Sequence, residues 1–243
     1  MALSPSDRAL LACIAGAALP AGGALHAADE RTVDRAVDFL GRAGPAAVRA
    51  WIAGARALDA WCRVRYLAGF ATLPPDRRLR ALEAWRDGAG TRLLVRGLLS
   101  PLKLAHFDSP AAYDALGCPF APGGPVRDEP DRWRRQILDA GTLDEALECD
   151  AVVVGTGAGG APIARELAAR GFAVLILEEG RHFSRRDFAG RPLERMARLY
   201  RRAGFTATVG NHVIPVPVGK GVGGTTMVNC GTCLRAPDAV LDG

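Results

Sequence analysis

The chain has 243 residues, 49% hydrophobic and 23% charged, with a net charge of +5. That length allows one or two domains with cores of their own, and the composition is ordinary for a soluble globular protein rather than a disordered or fibrous one. Few aromatic residues accompany the arginines, which argues against a nucleic-acid surface.

At the N-terminus, residues 9–28 carry no charged side chain, and Ala9 to Leu19 has the length of a signal-peptide apolar core. Asp7 offsets Arg8, Pro20 with Gly22 and Gly23 interrupts the run, and no clear small-residue cleavage site follows. Ser4-Pro5 reads instead as a helix cap followed by proline at the first helical position, with Leu10, Leu11, Ile14 and Ala18 on one face. The expected location is therefore cytoplasmic, with membrane association left open. Six cysteines without a pairing pattern suit the same reducing compartment.

Helical periodicity continues to Leu147. Ala28 to Leu40 places Val33, Val37 and Leu40 together, and Pro45 opens a longer helix with Val48, Trp51, Ile52, Ala55, Leu58, Cys62 and Tyr66 on one stripe. Pro74-Pro75-Asp76 starts a helix carrying Leu79, Leu82 and Trp85, and residues 91–105 give another with Leu93, Leu94, Leu98 and Leu102. Such stripes are most simply a core. Phe107 to Arg127 is rich in proline and glycine and reads as a linker or irregular segment.

The stretch from Asp150 to Glu178 changes character. Ala151 to Val154 is a run suited to a strand buried on both faces. It leads into the turn Gly155-Thr156-Gly157-Ala158-Gly159-Gly160, whose Gly155, Gly157 and Gly160 fill the slots of G-x-G-x-x-G. A helix over 161–170 follows, with Ile163 and Leu167 on one face and Gly171 as its stop, then a second strand from Val174 ending at Glu178. Glycines at these positions permit a tight turn, a close backbone approach to a pyrophosphate and close helix–strand packing, while the helix N-terminus favours the anion. Glu178 can accept hydrogen bonds from ribose hydroxyls. This pattern predicts an adenine-dinucleotide site but does not choose between flavin and nicotinamide.

Residues 181–202 hold eight arginines against Asp187 and Glu194, which is most simply a solvated helix face. Further on, residues 219–235 read GKGVGGTTMVNCGTCLR. Paired glycines can aim backbone N–H groups at anionic oxygens, Thr225 and Thr226 add hydroxyls, and Asn229 both donates and accepts. This segment resembles the G-G-[ST]-[ST]-x-x-N element of the glucose-methanol-choline (GMC) family of flavin oxidoreductases, and Ile176 to His182 looks like that family's ending of the second strand. The resemblance covers residues 148–243. It implies that FAD is the cofactor, with Gly223, Gly224 and Thr225 near the pyrophosphate, Asn229, Cys230 and Thr232 toward the ribityl chain or flavin, and Gly219 among the cofactor-binding residues. Many members of the family have glycine where this chain has Cys230. The bends at Gly157 and Gly224 are expected to grip one diphosphate from opposite sides.

The helical half is similar to long-chain alcohol oxidases and to the small subunit accompanying gluconate-type membrane dehydrogenases. Its opening Leu-Ser-Pro and the run from Phe107 to Gly117 carry that likeness, which implies an apolar or bulky alcohol substrate. The expected architecture is thus α/β: an incomplete Rossmann-like FAD-binding fold over residues 148–243, preceded by an all-α N-terminal domain with a linker over residues 1–147. GMC enzymes pass a hydride from an alcohol carbon to flavin, helped by a histidine base in their C-terminal half. None of His26, His106, His182 and His212 matches that context, so no catalytic residue is assigned and the chain alone is expected to be inactive. Cys230 and Cys233 have C-x-x-C spacing but lack the further ligands zinc needs, so no metal is expected. Three readings stay open: a truncated or split flavoenzyme whose remaining half comes from a longer reading frame or from a complementary C-terminal chain, a noncatalytic FAD-binding or assembly subunit, and a nicotinamide-binding module.

Overall fold

The structure is a computed structural model that describes residues 3–23, 25–118, 136–143, 146–211, 214–229 and 240. It comprises two compact units, Met1–Pro122 with Ala189–Val216 and Gly123–Phe188 with Pro217–Gly243. The division expected at residue 147 is therefore replaced by one in which a segment after the second strand returns to the helices.

In the helical unit, the elements are α1 (Pro5–Ala18), α2 (Glu30–Ala43), α3 (Pro45–Tyr66), α4 (Pro75–Asp87), α5 (Arg92–Phe107) and α6 (Pro110–Leu116). Their starts follow from local chemistry. Ser4 accepts the Asp7 N–H, Asp29 and Thr32 cap each other reciprocally, and Ser109 accepts the Ala112 N–H. Leu11, Ile14, Val33, Val48, Leu58, Cys62, Leu98 and Leu102 form one buried core. The Trp51 indole N–H reaches the Leu98 carbonyl at 2.8 Å, so its polar atom is satisfied inside. Asp7, itself buried, takes two hydrogen bonds from Arg56 at 2.8 and 2.9 Å.

Three details differ from the periodicity. Leu79, Leu93 and Leu94 are exposed; the inward stripe of α5 is Val95, Leu98, Leu102 and Ala105, which a count of leucines alone misplaces. The segment expected to be irregular after Phe107 contains α6, started by Ser109-Pro110 just as α1 is by Ser4-Pro5. Finally, α8 (Pro192–Leu199) and the turn after it join this unit because Leu193 and Ala203 enter the core and Phe205 sets its ring 5.3 Å from that of Phe39.

In the second unit, β1 (Ala151–Val154) pairs in parallel with β2 (Val174–Leu177), Ala151 opposite Val174 and Val154 opposite Leu177, with α7 (Gly160–Ala169) between them in sequence. This is the Rossmann-like βαβ arrangement. Ala164, rather than Ile163, is the buried residue of α7. The expected burial of β1 on both faces is not found: Val152 is 54% and Val154 81% exposed, because only two strands pair among the described residues. No helix of the described residues is long and apolar enough to cross a membrane.

Candidate functional site

The first glycine turn is shaped by contacts that exclude side chains. A Cβ at Gly160 would overlap the Gly155 carbonyl oxygen, so α7 can start this close to β1 only with glycine there. Gly155 itself has φ +89° and donates to the Leu177 carbonyl at 2.7 Å, which ties the turn to the end of β2. Around Gly157 and Gly159 nothing lies within 4 Å of where a Cβ would be. No side chain caps α7; in its first turn the Ala161 N–H donates to the Gly157 carbonyl at 3.1 Å and Pro162 has no N–H, so the helix turns its positive end, rather than a row of free donors, toward this open space beside Ala158.

The second motif packs directly on the first. The Gly223 N–H donates to the Thr156 hydroxyl at 2.8 Å, and a Cβ on Gly224 would sit 3.2 Å from the Gly157 Cα. The two bends therefore meet and form one continuous backbone wall. They are not jaws with a gap between them, because the Thr156 hydrogen bond and the Gly157–Gly224 approach close that gap. Thr225 lies on α9 (Gly224–Met227), and its hydroxyl accepts the Gly219 N–H at 3.1 Å. The Asn229 amide donates to the Thr226 carbonyl at 2.6 Å and is exposed. Cys230 and Thr232 lie outside the described residues.

Gly180, which the motif reading did not single out, belongs here as well: a Cβ on it would overlap the Gly221 backbone. The Val222 N–H bonds the Arg181 carbonyl at 3.2 Å, sealing this junction between the end of β2 and the second motif. The Glu-Glu-Gly ending of the second strand carried the only sequence signal for it.

Glu178 is the charged centre of the site. One carboxylate oxygen accepts the Thr156 hydroxyl at 2.6 Å and the Thr156 N–H at 3.1 Å, and the other accepts the Gly180 N–H at 2.9 Å. Burial pushes its pKa up, but the Thr156 hydroxyl and the backbone N–H groups of Gly180, Thr156 and Glu179 outweigh that and hold it below the ordinary carboxylate range. A carboxylate has about four lone-pair sites, so most are used within the protein. Glu178 thus anchors its own loop, in addition to any ribose contact.

Other candidate groups lie apart or are quiet. Among the described residues no cluster of His, Cys, Asp and Glu could hold a metal ion. Burial, followed by the Asp59 charge, pushes the Cys62 thiol up to about 11, as befits a core cysteine. In the arginine-rich stretch, Arg191 pairs with Glu194 at 2.9 Å and donates to the Asp108 carbonyl at 3.0 Å. Arg181 stacks over the Phe183 ring at 4.7 Å. These contacts are those of surface arginines. His212 lies outside the described residues.

Comparison with known proteins agrees with this geometry. Residues 196–243 match the family described as GMC oxidoreductase, and residues 153–213 match the NAD(P)-binding Rossmann-like domain. An uncharacterized GMC-type oxidoreductase of Mycobacterium tuberculosis (strain H37Rv) is 38% identical over 95% of this chain and 36% of its own length. A long-chain-alcohol oxidase of Arabidopsis thaliana is 42% identical over 39% of this chain and 13% of its own. An uncharacterized GMC-type oxidoreductase of Sinorhizobium fredii is 41% identical over 40% of the chain and 19% of its own. The chain thus spans about a third of the length of the longest-matching relatives, 36%. No solved structure matches.

Proposed function

We propose that this chain, a relative of the GMC-type oxidoreductases matching their N-terminal part, forms the FAD-holding portion of an enzyme that oxidises an alcohol. The observation that carries the reading is the meeting of the two glycine bends at Gly157 and Gly224, beside an uncapped helix N-terminus. A diphosphate is the group such a wall fits. Gly157, Ala158 and Gly159 would face it from the first turn, with Gly223, Gly224 and Thr225 beside them, and Glu178 would lie toward the adenosine ribose. Asn229, Cys230 and Thr232 would lie toward the flavin.

Bound there, FAD supplies the acceptor for a hydride from the alcohol carbon. The chain's own part is to bind and orient it: backbone N–H groups take the negative charge, and Glu178 fixes the turn that presents them. The likeness to long-chain-alcohol oxidases supports a bulky apolar alcohol as substrate. The exposed valines of β1 support a further reading, that more of an FAD domain, in this protein or in a complementary C-terminal chain, covers the sheet.

Gly157→Ala tests the diphosphate role cleanly, because its Cβ meets no protein atom within 4 Å. The variant should fold as the parent does and lose FAD affinity by at least about tenfold, the scale of one lost charge-assisted hydrogen bond. Flavin absorbance and a fluorescence titration with FAD check it. Parent-like affinity in Gly157→Ala, or a parent protein that takes up NADH but not FAD, would overturn the reading.

A further inference from the structure

We infer that Thr156 is a positioning residue of the cofactor site, its hydroxyl tying the second glycine bend to the carboxylate that ends β2. This rests on the FAD-holding reading for its consequence, though not for its geometry. The Thr156 hydroxyl accepts the Gly223 N–H at 2.8 Å and donates to Glu178 at 2.6 Å.

The direction of this chain of hydrogen bonds is fixed. An ionised carboxylate can only accept and an amide N–H can only donate, so the single hydroxyl proton points at Glu178 and a hydroxyl lone pair at Gly223. Each bond polarises the next toward the negative charge, and the bond to the carboxylate is of the short, charge-assisted kind. Thr156 stands 67 residues from Gly223 and 22 from Glu178 in sequence. One side chain therefore joins all three pieces of the site: the first turn, the end of β2 and the second motif. Its backbone N–H also bonds Glu178, so the carboxylate stays near the turn without the hydroxyl, but the link onward to Gly223 does not survive. Valine has the shape of threonine and breaks only the hydroxyl bonds; serine keeps them.

The experiment has two arms on the purified protein. In the first, amide exchange is followed by mass spectrometry in the peptide containing Gly223. Thr156→Val should exchange there at least about tenfold faster and Thr156→Ser at the parent rate. In the second, the protein stripped of flavin is titrated with FAD as a double-mutant cycle with Glu178→Ala. Thr156→Val alone should weaken FAD by about tenfold or more, and by much less in the Glu178→Ala background, because the residue acts through that carboxylate. Thr156→Ser should restore affinity. Parent-like exchange in Thr156→Val, additive costs in the cycle, or a serine variant as damaged as valine would each overturn the assignment. A parent protein that binds no FAD sinks the FAD reading alone, and the exchange arm then decides the Thr156 link.

Discussion

In the helical unit Leu11, Ile14, Leu58 and Leu102 are wholly buried, while in the second unit Ala164 and Phe183 are the only buried apolar side chains among the described residues. Val152 and Val154 of β1 stand largely in the open. What shapes the second unit is polar and steric: glycines in contact across the chain, Asp150 receiving the Ala173 N–H at 2.7 Å, and Glu178 gathering donors from Thr156 and Gly180. One unit is thus specified by volume, the other by the absence of Cβ atoms and by a few charge-assisted bonds. The two should fail in different ways.

The largest effect is expected where a methyl group is added to the second unit. Gly160→Ala drives a Cβ into the Gly155 carbonyl, and backbone cannot swing aside as a side chain can. Flavin retention should disappear altogether, while the helix signal and main thermal transition change little; absorbance and circular dichroism together show this. Flavin bound at parent level would mean that α7 starts further from β1 than the structure places it.

The next effect is expected from removing volume in the helical unit. Leu58 is fully buried on α3, and Leu58→Ala should cost about 2–5 kcal/mol by lost burial and the cavity left behind. Denaturant unfolding followed by circular dichroism measures it. FAD affinity under native conditions should stay at the parent value. If it falls as well, the cofactor site depends on the helical core and the contrast between the units dissolves.

How far the sequence shows this contrast depends on the range of the interaction. Helix starts at Ser4-Pro5, Pro45 and Pro75 are legible because cap and first turn lie within a few residues of each other. Ser109-Pro110 carries the same signal and is hidden by the prolines and glycines that follow it. The glycine slots at 155, 157 and 160 are legible because the turn is local. Thr156 and Gly180 are not, since their partners Gly223 and Gly221 lie far along the chain and neither residue type announces the contact. The return of Leu193, Ala203 and Phe205 to the helices escaped for a similar reason, because an amphipathic stripe does not say which core it will join.

The smallest effect sharpens the comparison from the polar side of the helical unit. Asp7 is buried at the start of α1, accepts a 2.5 Å bond from the Ser4 hydroxyl and is paired with Arg56, whose side chain is 65% exposed. The hydrogen bond from Arg56, then that from Ser4, lower its pKa against the opposing effect of burial, and the Arg56 charge adds to the lowering. A carboxylate depressed in the folded state contributes stability that is present above its ordinary range and is lost as the pH falls through the folded value. Asp7→Asn should therefore lower the unfolding midpoint at neutral pH, by less than Leu58→Ala does because water screens the exposed partner. The difference from the parent should shrink below the ordinary carboxylate range and vanish once Asp7 is protonated in both states. A difference that persists undiminished in acid would mean that the cost comes from packing around Asp7, and that volume governs even the charged corner of this unit.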